Sequence, residues 1–273
     1  MTDPIPFDDF GGTGPTLHFA HPNAYPPACF KALLEPLTLD YHVIAMHQRP
    51  LWPKSEVVDI ANWQIFADDL AQFLAQQGHE QVIGVGISLG AVATMKAAIQ
   101  QPGLFRGLVL IEPVFLEPQI LELLAANPAV MEAFPMVQKT RKRRTTWRDR
   151  QTAFDHYRAK PVFQRWSNQA LWAYVQEGLK ETQTSDYTLT FPREWEAQIY
   201  ASYPGPVWDE ISQVTQPTLA ISGAESDTLT QEAWRLWQAL RPTATFVEIP
   251  HAGHMVPMER PDEVLKAVTD FLE

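Results

Sequence analysis

Short apolar runs alternate along the chain with longer segments whose apolar residues recur every three or four positions. TLHFA (16–20), YHVIAM (41–46), QVIGVG (81–86) and GLVLIE (107–112) have the length and composition of strands buried on both faces; PTLAIS (217–222) and ATFVEIP (244–250) repeat the type further on. Between YHVIAM and QVIGVG, the stretch NWQIFADDLAQFLAQQG places Ile65, Phe66, Leu70, Phe73 and Leu74 on one helical face and closes on Gly78, a helix-stopping residue. The same periodicity predicts helices over QEAWRLWQAL (231–240) and PDEVLKAVTDFL (261–272). Strands alternating with helices predict an α/β fold, with a mostly parallel central sheet and helices on both faces.

The rhythm fails between residues 113 and 206. That stretch reads as several short helices punctuated by prolines and rich in large rings, among them Trp147, Phe154, Tyr157, Trp166, Trp172 and Tyr174. It is expected to be a helical cap inserted into a core made of residues 1–112 and 207–273. So many rings in a short insertion predict that some of them roof an apolar pocket, because each has about 150–250 Å² to bury. A basic stretch at 139–160 carries nine lysines and arginines against Asp149 and Asp155. Its two readings are a solvated helical face and a rim that attracts an anionic substrate.

Composition narrows the function classes. With 273 residues, 45% of them hydrophobic and 19% charged, the chain has the material for one sizeable core and shows no mark of disorder. A net charge of -11 argues against a general nucleic-acid binder. A single cysteine, Cys29, excludes an internal disulfide and any cysteine-rich metal site. The opening MTDPIPFDDFGGTG lacks the basic-then-apolar order of a signal peptide, and no run reaches the ~18 apolar residues of a membrane span. A cytoplasmic protein without a membrane partner is therefore expected.

The chemistry is carried by Gly86-Ile87-Ser88-Leu89-Gly90, at a strand-to-helix boundary. In a G-x-S-x-G turn the serine sits in a strained conformation at the carboxyl end of the sheet, and its neighbours must be small to let the chain reverse. A serine hydroxyl needs a base before it attacks. His251 and His254, in IPHAGHMVPMERP just past the last strand, are the candidates, and His254 is preferred because Gly253 permits a tight loop. The base needs an orienting acid, for which Asp227 in ISGAESDTLT gives the chain order nucleophile, acid, base. Glu225 lies beside it. Glu112, at the end of GLVLIE, is the rival, although Pro113 after it is expected to hold its backbone extended. The amide of Leu89 and that of Asn23, in FAHPNAYPP, are the expected oxyanion donors; Pro22 has none to give, and His21 reads as structural.

Taken in order, AHPNAY, GVGISLGA, GAESDTLT and AGHMVPMERP resemble the α/β-hydrolase superfamily, and more closely its capped bacterial members whose first loop reads His-x-Asn-x. The resemblance implies a serine hydrolase with Ser88, Asp227 and His254 in its triad, no cofactor, no metal and a small-molecule ester as substrate; lactones and carbon-carbon bonds are cleaved with the same triad. A ligand receptor with a slow, retained triad is the reading from another class. Two departures stand out. Few residues precede TLHFA, so the usual first hairpin is expected to be short, and Ile87 makes the floor of the serine turn apolar.

Overall fold

A computed structural model describes residues 4–273. The chain runs through β1 (Phe7–Gly11), β2 (Thr16–Ala20), α1 (Lys31–Leu37), β3 (His42–Met46), α2 (Gln64–Gln77), β4 (Val82–Ile87), α3 (Leu89–Gln100) and β5 (Phe105–Ile111). It then leaves the sheet for α4 (Pro118–Ala126), α5 (Pro135–Arg141), β6 (Thr146–Trp147), α6 (Arg150–Arg158), α7 (Asn168–Glu177), β7 (Leu179–Glu181), β8 (Tyr187–Leu189) and α8 (Arg193–Tyr200). After α9 (Val207–Ile211) it returns through β9 (Thr218–Gly223), α10 (Gln231–Leu240), β10 (Thr245–Ile249), α11 (Val256–Glu259) and α12 (Pro261–Leu272).

Seven of the strands form one sheet in the order β1-β3-β2-β4-β5-β9-β10, parallel throughout except where β1 pairs antiparallel with β3. The apolar runs become its interior because every residue of β4 and β9 is buried, which only a sheet covered on both faces permits. On one face α2, α3 and α10 bring Phe66, Leu70, Val92 and Trp237 into a common core; on the other α1 and α12 bring Leu33, Leu34, Val264 and Val268. Helix α2 stops at Gly78, whose φ of 71° puts it in the left-handed region that glycine occupies without strain.

Two parts of the fold were not visible as periodicity. Strand β1, FDDFG, is an edge strand with no buried residue, so it carries no apolar run; Phe7 contributes by resting on Phe73 of α2, with ring centroids 5.3 Å apart. Between β5 and β9, which are neighbours in the sheet, the excursion holds the expected short helices and also a small antiparallel sheet in the order β6-β8-β7. Its strands are two or three residues long, too short to display a period of two.

The serine turn depends on two glycines. A Cβ on Gly86 would lie 2.6 Å from the Gly90 carbonyl oxygen, and a Cβ on Gly90 would run into the Ala20 carbonyl and lie 2.7 Å from that of His21. All of these obstacles are backbone, which has no rotamer to move aside. Gly90→Ala is therefore expected to destabilise by the upper part of the ~1–3 kcal/mol that overpacking costs. A thermal scan should show its melting temperature several degrees down; an unchanged value would mean that β2 and α3 are less closely apposed.

Candidate active site

Strand β4 delivers Ser88 to the carboxyl edge of the sheet in a backbone conformation of φ 55°, ψ -120°, outside the regions a serine ordinarily occupies. The strain is held by hydrogen bonds on both sides. The Ser88 amide donates to the Ile111 carbonyl at 3.0 Å, and the Ser88 carbonyl accepts from the amides of Ala91 and Val92 in the first turn of α3. The side chain is thus lifted off the sheet beside the start of a helix.

Ser88, His254 and Glu112 meet there. The Ser88 hydroxyl lies 3.0 Å from His254 Nε2, and His254 Nδ1 lies 3.0 Å from Glu112 Oε2. A carboxylate only accepts, so this geometry assigns the proton to Nδ1 and leaves Nε2 to accept from Ser88. His254 is positioned by the Gly253 amide, which donates to Glu259 Oε2 at 2.9 Å, and by the close approach of Gly223 to the loop, where a Cβ would strike the Ala252 and Gly253 carbonyls.

The expectation that Asp227 faces His254 is corrected by this arrangement. Asp227 is exposed, and its carboxylate accepts from the Thr228 hydroxyl at 3.4 Å rather than from His254. Glu112 occupies the position behind the histidine, fully buried, because its backbone is not extended before Pro113 but turns to φ 47°. That turn sends the longer side chain toward β9. Oε1 accepts from the Gly223 amide at 2.7 Å and the Ser222 hydroxyl at 3.0 Å, while Oε2 accepts from the Ser226 hydroxyl at 2.7 Å as well as facing the imidazole. Four donors surround one buried carboxyl group, the condition under which such a group is tolerated away from water. Sequence does not single out either serine: Ser222 reads as one more residue of the buried strand β9, and Ser226 as an ordinary polar residue of the loop after it.

His251, the other candidate base, is 81% exposed, carries a φ of 55° and faces Glu225 at 3.5 Å. His21 is buried and structural in its bonds: Nδ1 donates to the Pro22 carbonyl at 2.9 Å and Nε2 accepts from the Gln48 amide at 3.1 Å. Burial, aided by the nearby His47, pushes its pKa down to about 3, so the ring is neutral. It orients the Pro22–Asn23 peptide, next to which Ala24 adopts a φ of 74°. The Asn23 side chain donates to the Glu196 carbonyl of α8 at 3.1 Å, tying this loop to the excursion.

Ser88, His254, Asn23 and Leu89 open on a cavity of about 420 Å³. Its walls from the excursion include Leu116, Met131, Phe134, Met136, Val162 and Tyr200; Tyr25 and Trp63 come from the sheet side. Asp227 and Glu259 also line it. The rings expected to roof this space pack on one another instead. Tyr157 contacts Trp147, Phe163 and Tyr174, and Phe154 stacks on Trp172 at 4.6 Å. The cavity feels them only through Tyr25, which leans on Trp166 and Tyr174.

No residue of the basic stretch lines the cavity, and four of its arginines are engaged by the excursion itself. Arg143 is bonded to Glu196 at 2.5 Å and to the hydroxyls of Tyr157 and Tyr174 at 3.2 Å. Burial works against its charge, but Tyr174 and Glu196 outweigh that and hold its pKa above the ordinary arginine value. Arg144 and Arg150 lie over the rings of Trp147 and Tyr187, and Arg158 donates to the carbonyls of Phe163, Trp166 and Ser167.

The sequence model of the alpha/beta hydrolase family matches residues 18–267, which takes in the serine turn, the histidine loop and nearly all of the sheet. The chain belongs to the alpha/beta hydrolase family. As a member it is similar to 2-(acetamidomethylene)succinate hydrolase from Mesorhizobium japonicum, with 27% identity over 266 residues, 96% of this chain and 89% of the relative. A crystal structure of E-2-(acetamidomethylene)succinate hydrolase superposes with a TM-score of 0.82 at 23% identity, covering 98% of this chain and 94% of that one. A thermophilic esterase from Thermogutta terrifontis shares the fold with a TM-score of 0.69 at 22% identity, covering 98% and 92%. The central sheet with helices around it is thus the alpha/beta hydrolase fold. No helix among the described residues of this family member is long and apolar enough to cross a membrane.

Proposed function

We propose that this alpha/beta hydrolase cleaves carboxylic esters, preferring hydrophobic short-to-medium acyl or aryl groups, through an acyl-enzyme on Ser88. The observation that carries the reading is the unbroken chain from Ser88 Oγ through His254 to the buried Glu112, each link 3.0 Å, opening on a mainly apolar cavity. In the proposed mechanism Ser88 attacks the ester carbonyl while His254 Nε2 takes its proton. Glu112 stabilises the imidazolium, and the proton passes to the leaving alkoxide. Water then attacks the acyl-enzyme with His254 again as base, and the acid product leaves. The amides of Leu89 and Asn23 are the donors proposed for the tetrahedral oxyanion, and the excursion serves as the cap that closes the apolar wall over the substrate.

The relatives agree on hydrolysis and differ in substrate. One is named for a succinate derivative and another for esters, so the ester reading rests on this chain's own cavity. Turnover of p-nitrophenyl esters over a series of acyl lengths tests it. Butyrate and hexanoate should be hydrolysed well, with the rate falling once the chain outgrows the cavity. Turnover no better than that of Ser88→Ala for every ester would end the esterase assignment, and efficient cleavage of a sugar ester with none of butyrate or hexanoate would end the hydrophobic preference.

A further inference from the structure

Asp227 has no part in the chain of bonds that holds His254, yet it lines the same cavity as Ser88. It is exposed, and the Thr228 hydroxyl at 3.4 Å leaves its acceptors largely unspent. Glu259 lines the cavity as well, with Oε2 accepting from the Gly253 amide. No lysine or arginine lines the cavity among the described residues. The guanidinium of Arg165 approaches the cavity-lining Glu259. It is bonded to Glu225 and stands 3.9 Å from Glu259, so that its one charge is shared by two carboxylates, while Asp227 has no ion pair among the described residues. Arg143, Arg144, Arg150 and Arg158 are engaged with Glu196, aromatic rings and backbone carbonyls, and Arg148 pairs with Asp149.

The geometry points to Asp227 as a specificity-determining residue that turns away substrates bearing a carboxylate and leaves the site to uncharged or cationic esters. A substrate carboxylate in this cavity would lose water and meet no cation, while facing acidic side chains across apolar walls that screen poorly. A neutral chain meets only the apolar lining, and an ammonium group meets acids together with the rings of Tyr25, Trp63 and Tyr200. The inference deepens the esterase reading and rests on it.

Three p-nitrophenyl esters of similar length separate the possibilities: heptanoate, the adipate monoester, and 5-(trimethylammonio)pentanoate. The kcat/KM for heptanoate should exceed that for the adipate monoester by about 30-fold, the factor expected for like charges about 8 Å apart at a partly exposed site. The cationic ester should outrun the adipate monoester too. Asp227→Asn should narrow the heptanoate-to-adipate ratio several-fold and Asp227→Lys should narrow it further. Added salt should raise the adipate rate relative to heptanoate in the wild type. Adipate cleaved as well as heptanoate would overturn the inference while leaving the esterase reading intact. A ratio unmoved by both Asp227 substitutions would remove Asp227 from the role. If none of the three esters is cleaved and the chain-length series also shows no turnover, it is the esterase reading that has failed and the charge inference falls with it.

Discussion

Ser88→Ala should reduce ester turnover to the level of the bare oxyanion site, a loss on the order of 10⁴- to 10⁶-fold, because a triad acts as a unit and its residual rate comes from binding and electrostatics alone. The proposed mechanism makes Ser88 the atom that bonds to the acyl group, so a fluorophosphonate probe should label that residue and no other, and the alanine variant should lose labelling and turnover together. His254→Ala should fail to a similar extent, since Nε2 at 3.0 Å is the group placed to take the hydroxyl proton. His251→Ala should keep most of the activity, its ring being 81% exposed and directed at Glu225. Labelling at another residue, or wild-type turnover without the Ser88 hydroxyl, would sink the nucleophile assignment and with it the esterase proposal.

Glu112→Gln should cost about 10⁴-fold in kcat, the size of effect that follows when a carboxylate holding an imidazole becomes an amide and the wrong tautomer is favoured. The carboxyl group accepts from His254 Nδ1, Gly223, Ser222 and Ser226. A glutamine can still accept at Oε1 from Gly223, but at Nε2 it becomes a donor facing a donor. The ring then carries its proton on Nε2, where Ser88 needs a base. Asp227→Asn should lose only a few-fold toward neutral esters, since no hydrogen bond links Asp227 to His254. Melting temperatures measured on both variants keep loss of chemistry apart from loss of fold. The reverse outcome, with Asp227→Asn inactive and Glu112→Gln active, would return the orienting role to the loop after β9.

Much of this is legible in the sequence. The six apolar runs became β2, β3, β4, β5, β9 and β10, and the helices over 231–240 and 261–272 occupy those residues, because strands buried on both faces and amphipathic helices write their surroundings directly into composition and period. The serine turn was legible for a local reason: Gly86 and Gly90 are required by backbone contacts that only glycine allows, and they bracket Ser88 wherever the rest of the chain goes. His254 could be placed opposite it since a loop at the end of a parallel strand must emerge at the same edge of the sheet.

What the tertiary structure decided is the set of facts that depend on one dihedral angle or on which distant side chains share a volume. Sequence order offered two carboxylates for His254. Glu112 sits beside it because its own φ of 47° and the donors of β9 aim it there, and neither is encoded in a local pattern. The edge strand β1 and the small sheet of the excursion likewise depend on partners far along the chain. Which aromatics would reach the cavity was beyond composition: the large rings satisfied one another, and methionines, Phe134 and Val162 took the wall. The charge run at 139–160 declared itself plainly in sequence, yet its meaning lay in its partners, because a guanidinium held by a buried glutamate or by carbonyl oxygens of the excursion is not free to reach a substrate in the cavity.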